Sequence, residues 1–200
     1  MSRNIHLRRG IPQDSEYFGD LVAQSAGELL YAFGDNANAI FKALFTHKRN
    51  LFSFQYTQFA ILNSNIAGMV LGYDWKVARQ QGFRTGLLLF RYMKFGLLRR
   101  MSVLTRLNTA FGAFQKGDFY ISNIAVYPQY RGLGIAKDLL ATVESEAQSS
   151  GSKRLILDVA VNNREAISWY LKMNYTQIEG TKEIVIHGKT YSFFRMFKIL

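Results

Sequence analysis

The stretch that decides the fold is Val126–Leu140, VYPQYRGLGIAKDLL. It follows an apolar run, FYISNIAV (Phe119–Val126), that reads as a strand. After it, Ile135, Ala136, Leu139, Leu140, Val143 and Ala147 recur on one helical face. A strand therefore ends near Tyr127 and a helix begins near Gly134, with Gly132 and Gly134 at the junction. A helix N-terminus has unpaired N–H groups and the positive end of the helix dipole. Glycines there let an anion approach the backbone, because no Cβ intervenes.

Spacing limits which anion this is. A P-loop needs G-x-x-x-x-G-K-[ST], which Gly132 and Gly134 do not spell. A dinucleotide fingerprint needs a third glycine where this chain has Lys137, and a βαβ unit that is absent upstream. The spelling that fits is [Q/R]-x-x-G-x-[G/A], at Gln129, Tyr130, Arg131, Gly132, Leu133 and Gly134. Read without context, the same six residues also suit an ordinary strand–turn–helix.

Downstream residues add to this. A buried strand, RLILDVAV (Arg154–Val161), precedes NNREAISWYLKMNY (Asn162–Tyr175), a short helix with asparagines at its start. Here Asn163, Ala166, Tyr170 and Tyr175 stand in an N-x-x-A-x-x-x-Y spacing that ends on an aromatic, with Asn174 before it. Together with the glycine turn, this resembles the GCN5-related N-acetyltransferase (GNAT) superfamily over Ile5–Leu200 except the basic segment 74–117, strongly in the second half and weakly in the first. The resemblance implies an α/β (α+β) fold with a mixed, mostly antiparallel sheet. That sheet splays between strands 4 and 5, is flanked by helices, and has a helical insertion between strands 3 and 4.

The resemblance also implies roles. Acetyl-CoA would lie in the splay, its pantetheine arm along Asn123, Ile124, Ala125 and Val126. Its pyrophosphate would meet the N–H groups from Arg131 through Gly132, Leu133, Gly134 and Ile135 to Ala136. Asn163 would hold the arm, with helix capping as its structural alternative. Tyr170 would be the general acid that protonates the CoA thiolate, with core filling as its alternative. A phenol with pKa ~10 holds its proton at neutral pH. The acceptor would be a primary amine attacking directly in a ternary complex. The family's strand glutamate, a base in some members, is Tyr120 here; Asp118, Ser122, Asp158, Glu28 and a water relay are the other options. A non-catalytic acyl-CoA-binding or regulatory domain is the competing reading.

The rest of the chain fits one domain. The 200 residues, 48% hydrophobic, are expected to form a single domain over 1–200. IHLRR is an N-terminal strand, Asp14 or Ser15 a helix cap, and Ala37–His47 a second helix capped from Gly34–Asn36. QFAIL and IAGMVLGY flank an NSN turn as a hairpin, and the last pair of strands turns at His187–Gly188. TQIEG is expected as a further strand.

The formal charge is +11, and most of it sits in the segment 74–117, where nine basic residues stand against one acid, Asp74. That segment, with GLLLFRYMKFGLLRRMSVLTRL at its centre, reads as one or two inserted helices. It would pack on the sheet with solvated charges, cap the acceptor site, contact an anionic membrane surface, or form a homodimer face. No nucleic-acid motif accompanies it. There is no cysteine, and His6, His47 and His187 lie far apart, so no metal site is expected. No apolar run reaches the ~18–20 residues of a membrane span, and the N-terminus lacks a signal-peptide pattern, so the expected location is the cytoplasm.

Overall fold

The computed structural model describes residues 5–94, 96–186 and 188–200, with Glu28 described by its backbone alone. His187, read as half of the last turn, and the Glu28 side chain, a base option, thus lie outside what is described. One mixed sheet runs in the order β1 (Ile5–Arg9), β2 (Thr57–Leu62), β3 (Asn65–Asp74), β4 (Asp118–Val126), β5 (Arg154–Ala160), β8 (Lys189–Ile199) and β6 (Thr176–Gln177). The strand β7 (Lys182–Ile186) also pairs with β8. Only β4 and β5 are parallel. The β2–β3 hairpin turns on Asn63 (φ 48°) and Ser64 (φ 69°). Two consecutive positive φ values match the twist of the flanking strands.

Strand alternation divides the core in two. On one face, Phe119 and Ile121 of β4 and Leu155, Leu157 and Val159 of β5 pack against Ile135, Leu139, Leu140 and Val143 of α5 (Ile135–Ser149). Tyr170 of α6 (Arg164–Lys172) joins this layer. On the other face, Tyr120 and Ile156 pack with Phe18, Leu21 and Val22 of α1 (Ser15–Ala26) and Phe41 and Phe45 of α2 (Ala37–Thr46).

The basic segment forms α3 (Trp75–Met93) and α4 (Gly96–Phe111), inserted between β3 and β4. Asp74 caps α3 by accepting the Val77 N–H at 2.7 Å. Lys94, at φ 49°, ends it. The C-terminal end of α4 is anchored by two cations. Arg195 donates to the carbonyls of Phe111 (3.1 Å) and Ala113, and Lys182 to that of Ala110. Three large apolar side chains of α3, Phe83, Leu87 and Phe90, are exposed.

Several local expectations need correcting. Asp14 precedes α1 without a side-chain cap; its carboxylate instead accepts the Ile11 N–H at 2.9 Å and pairs with Arg8 at 2.6 Å. Asn36 also makes no cap bond to α2. TQIEG is strand only at Thr176 and Gln177; the Ile178 N–H still donates to Arg195 O of β8 at 2.8 Å, and the chain then turns through Gly180 at φ 88°.

Candidate active site

The site begins where β4 and β5 separate. Their parallel register runs from Asp118↔Arg154 to Ile121↔Leu157 and stops. Beyond it, Asn123, Ile124, Ala125 and Val126 remain paired with β3, while Asp158, Val159 and Ala160 remain paired with β8. The facing edges are therefore open, which is where an extended chain can hydrogen-bond to backbone. The register of β3 and β4 shifts at this same point: Leu71 faces Asn123 and Gly72 faces Ile121, so Ser122 is an extra residue. Such a bulge bends the strand and adds to the separation.

At the mouth of the wedge, Pro128–Tyr130 form a 3-10 turn and the chain enters α5 through two glycines in left-handed conformation, Gly132 (φ 74°) and Gly134 (φ 82°). A Cβ built on either would meet nothing within 4 Å. The space above both is open, so the glycines serve the turn and leave the backbone accessible. The N–H groups of Lys137 and Asp138 close onto the Gly134 carbonyl at 2.9 and 3.2 Å. Those of Ile135 and Ala136, one step earlier, have no acceptor among the described residues. The Arg131 N–H donates to Pro128 O (3.2 Å) and its guanidinium Nε to Val126 O (3.3 Å), so only the outer guanidinium nitrogens are left to meet an anion. Leu133 turns its side chain toward the core.

Across the wedge, Asn163 caps α6 by accepting the Ala166 N–H at 3.1 Å through Oδ1. Its Nδ2 makes no hydrogen bond among the described residues. Tyr170 is buried, its ring centroid 5.0 Å from Trp169 and 5.4 Å from Tyr175. Burial pushes its phenol above the ordinary tyrosine value. One cavity of about 1740 Å³ connects Gly132, Gly134, Asn123–Val126, Asn163 and Tyr170. Small-molecule pockets are usually about 300–1,000 Å³, so this one has room for two reactants. These features fit a long thiol-linked nucleotide: an extended arm on the open strand edge, a diphosphate on bare amides, and a proton donor in the same cavity.

The family model of the acetyltransferase (GNAT) family matches residues 28–175. The chain belongs to the GNAT family. A curated relative, the uncharacterized N-acetyltransferase YdgE of Bacillus subtilis (strain 168), is 34% identical over 67 residues. That match spans 32% of this chain and 43% of the relative. The N-acetyltransferase from Staphylococcus aureus Mu50 superposes with a TM-score of 0.63 at 17% identity, covering 96% of this chain and 100% of its own. Ard1 from Thermoplasma volcanium gives 0.62 at 14% identity, covering 98% and 97%. At such identities the superpositions establish the fold.

This GNAT chain fills the base position with ion pairs and aromatic packing. Tyr120, where some members have glutamate, is buried and donates to Asp158 Oδ2 at 3.3 Å. Burial and the Asp158 charge both raise its pKa. Asp158 does face the cavity, as strand alternation allows, but Arg195 grips it at 2.9 and 2.7 Å and Lys182 lies at 3.7 Å. Burial opposes the Arg195 charge, yet its bonds to Asp158 outweigh this and raise its pKa. Asp118 is buried, accepts the Gln115 N–H at 2.9 Å and pairs with Arg154 at 2.7 Å.

Sequence reasoning missed a polar chain at the bulge. Tyr73 bonds to Ser122, Ser122 donates to Asn123 Oδ1 at 3.0 Å, and Asn123 Nδ2 donates to Ser25 Oγ at 2.8 Å. Burial raises the Tyr73 phenol more than that bond lowers it. No local signal links Ser25 to Asn123, 98 residues apart; only the packing of α1 on β4 brings them together.

Proposed function

We propose that the protein transfers an acetyl group from acetyl-CoA to a primary amine by direct attack in a ternary complex. The observation that carries this reading is the continuity of one cavity from the bare amides of α5, along the unpaired β4 edge, to Tyr170. When bound, acetyl-CoA supplies an activated thioester. The chain supplies the rest. Gly134, Ile135 and Ala136 present amide N–H groups and the positive end of α5 to the diphosphate, with Arg131 and Lys137 beside them. The β4 edge from Asn123 to Val126 pairs with the extended arm, and its N–H groups polarise the carbonyl under attack. Asn163 holds the arm through Nδ2. Tyr170, kept protonated by burial, donates its hydroxyl proton to the departing thiolate.

No carboxylate poised as a base stands on the described acceptor side, because Asp118 and Asp158 are both ion-paired. The attacking amine therefore arrives neutral, or loses its proton to water.

Thermal unfolding with and without CoA and acetyl-CoA tests the cofactor site. A ligand at 100 times its Kd adds about 2.7 kcal/mol of stability, so a clear rise in midpoint is expected. No rise at millimolar cofactor rejects the reading. Release of free CoA thiol across a panel of amines then separates an enzyme from a protein that only binds acyl-CoA.

A further inference from the structure

The cavity does not end at Tyr170. It passes β4 and continues beneath α3 and α4, where its walls are Leu30 and Phe33 from the 3-10 segment Gly27–Phe33, with Phe52, Trp75, Phe111 and Phe114. All six side chains are half-buried: each packs on one side and leaves apolar surface toward the chamber. The inserted helices thus form a roof over an aromatic chamber.

The charges at this end are as informative as the walls. Beside the phenols of Tyr73 and Tyr120, which pack on Phe114, the charged side chains Arg79 and Asp158 line it. Arg79 stacks 5.0 Å over the Trp75 ring. Asp158 is neutralised by Arg195 and Lys182. Glu165, the other carboxylate lining the cavity, is on α6 beside Ala166, at the cofactor end. The segment 74–117 that contains the roof carries nine basic residues against one acid, and the chain is +11 overall.

An amine must be neutral to attack a thioester. A monoamine then has no charge left to solvate, and a hydrocarbon body can leave water for the chamber wall. A diamine or polyamine keeps at least one ammonium group. That group would be buried against aromatic carbon and Arg79, with no free carboxylate among the described residues, inside a positive field.

We infer that the acceptor is a monoamine whose one cationic centre is the reacting nitrogen and whose body is aryl or long-chain alkyl, seated in the chamber under α3 and α4. This rests on the acetyltransferase reading and names its second substrate class. The roof has room built into it. Gly82 and Gly86 of α3 both line the cavity, and a Cβ on either would meet nothing within 4 Å. Glycine is among the least favourable residues inside a helix, so Gly82→Leu fills the chamber while favouring the helix that bears it.

The experiment has two parts. Calorimetric titration with CoA, on the wild type and Gly82→Leu, checks the cofactor site and the fold. Thiol release from acetyl-CoA is then measured with phenethylamine and octylamine against ethylamine, putrescine and spermidine. Full burial of a phenyl-sized body is worth about 1.5–3 kcal/mol, or about 10- to 100-fold. The expected kcat/KM for the two apolar monoamines is therefore at least about 10-fold above that for putrescine and spermidine. Gly82→Leu is expected to lower the octylamine-to-ethylamine ratio by a similar factor. Preference for putrescine or spermidine, or a ratio unmoved by Gly82→Leu, overturns the inference. So does CoA binding with no turnover of either apolar monoamine, which leaves the cofactor site standing. Absence of CoA binding overturns the reading beneath it.

Discussion

Tyr170 and Asn163 share one short helix, α6: the first ends its packing in a hydroxyl, the second caps the helix start with an amide. Each has a structural duty that can be separated from its chemical one. The Tyr170 ring packs on Trp169 and Tyr175, and only its hydroxyl can give up a proton. Tyr170→Phe keeps the ring and is expected to lower kcat by about 10²- to 10⁴-fold, the usual weight of a general acid. CoA affinity should hold, and unchanged turnover in a stopped assay of thiol release removes the acid role. Asn163 uses Oδ1 to cap α6 and leaves Nδ2 for a ligand. Asn163→Asp retains the cap, since aspartate caps helices about as well, but removes the donor. Its thermal midpoint should match the wild type while CoA binds more weakly; equal loss of both would make the residue a cap alone.

Elements explain why Asp158 is an anchor. It lies on β5 with its side chain on the α1 face, Arg195 lies opposite it on β8, and Arg195 and Lys182 together reach the last carbonyls of α4. The carboxylate therefore fixes the cations that hold the inserted helices down. Asp158→Asn leaves these cations under-neutralised, and breaking a buried pair in this way costs about 3–5 kcal/mol. Urea denaturation should show that loss, and full stability with reduced kcat would instead make Asp158 the base. The sequence could not announce this pair, because it arises from strand register between residues 37 apart. The glycine turn and α6 were legible because their chemistry is local: Gly134 must adopt positive φ, and Asn163 must reach an amide three residues on. The inserted helices were only partly legible. Their Leu, Phe and Arg periodicity runs through the junction, and the break rests on Lys94 at φ 49°, a conformation its residue type does not advertise. Asp74 as the cap of α3 was written in the sequence, but its place at the end of a strand pattern hid it.

For the molecule as a whole, the sheet buries tyrosines on both faces. Tyr73 and Tyr120 lie on the α1 face and Tyr170 on the α5 face, and burial raises the pKa of all three. This predicts sensitivity to alkali. Below pH ~10, folded and unfolded chains both hold these phenolic protons, and the contribution to stability is complete. Above it the unfolded chain releases them while the folded chain does not, so unfolding gains and stability falls as pH rises toward the folded values. Each tyrosine then contributes up to about 1.4 kcal/mol per pH unit, and Tyr56, Tyr127 and Tyr175, whose phenols burial also raises, add to the slope of these three. Urea midpoints taken between pH 9 and about 11 should fall steeply on this account. Tyr170→Phe removes one of these groups and should flatten the slope by about 1.4 kcal/mol per pH unit. An identical slope in the variant would mean that the Tyr170 hydroxyl ionises as readily in the folded protein as in the unfolded chain. In that case the site would lack the protonated donor on which thiolate departure depends.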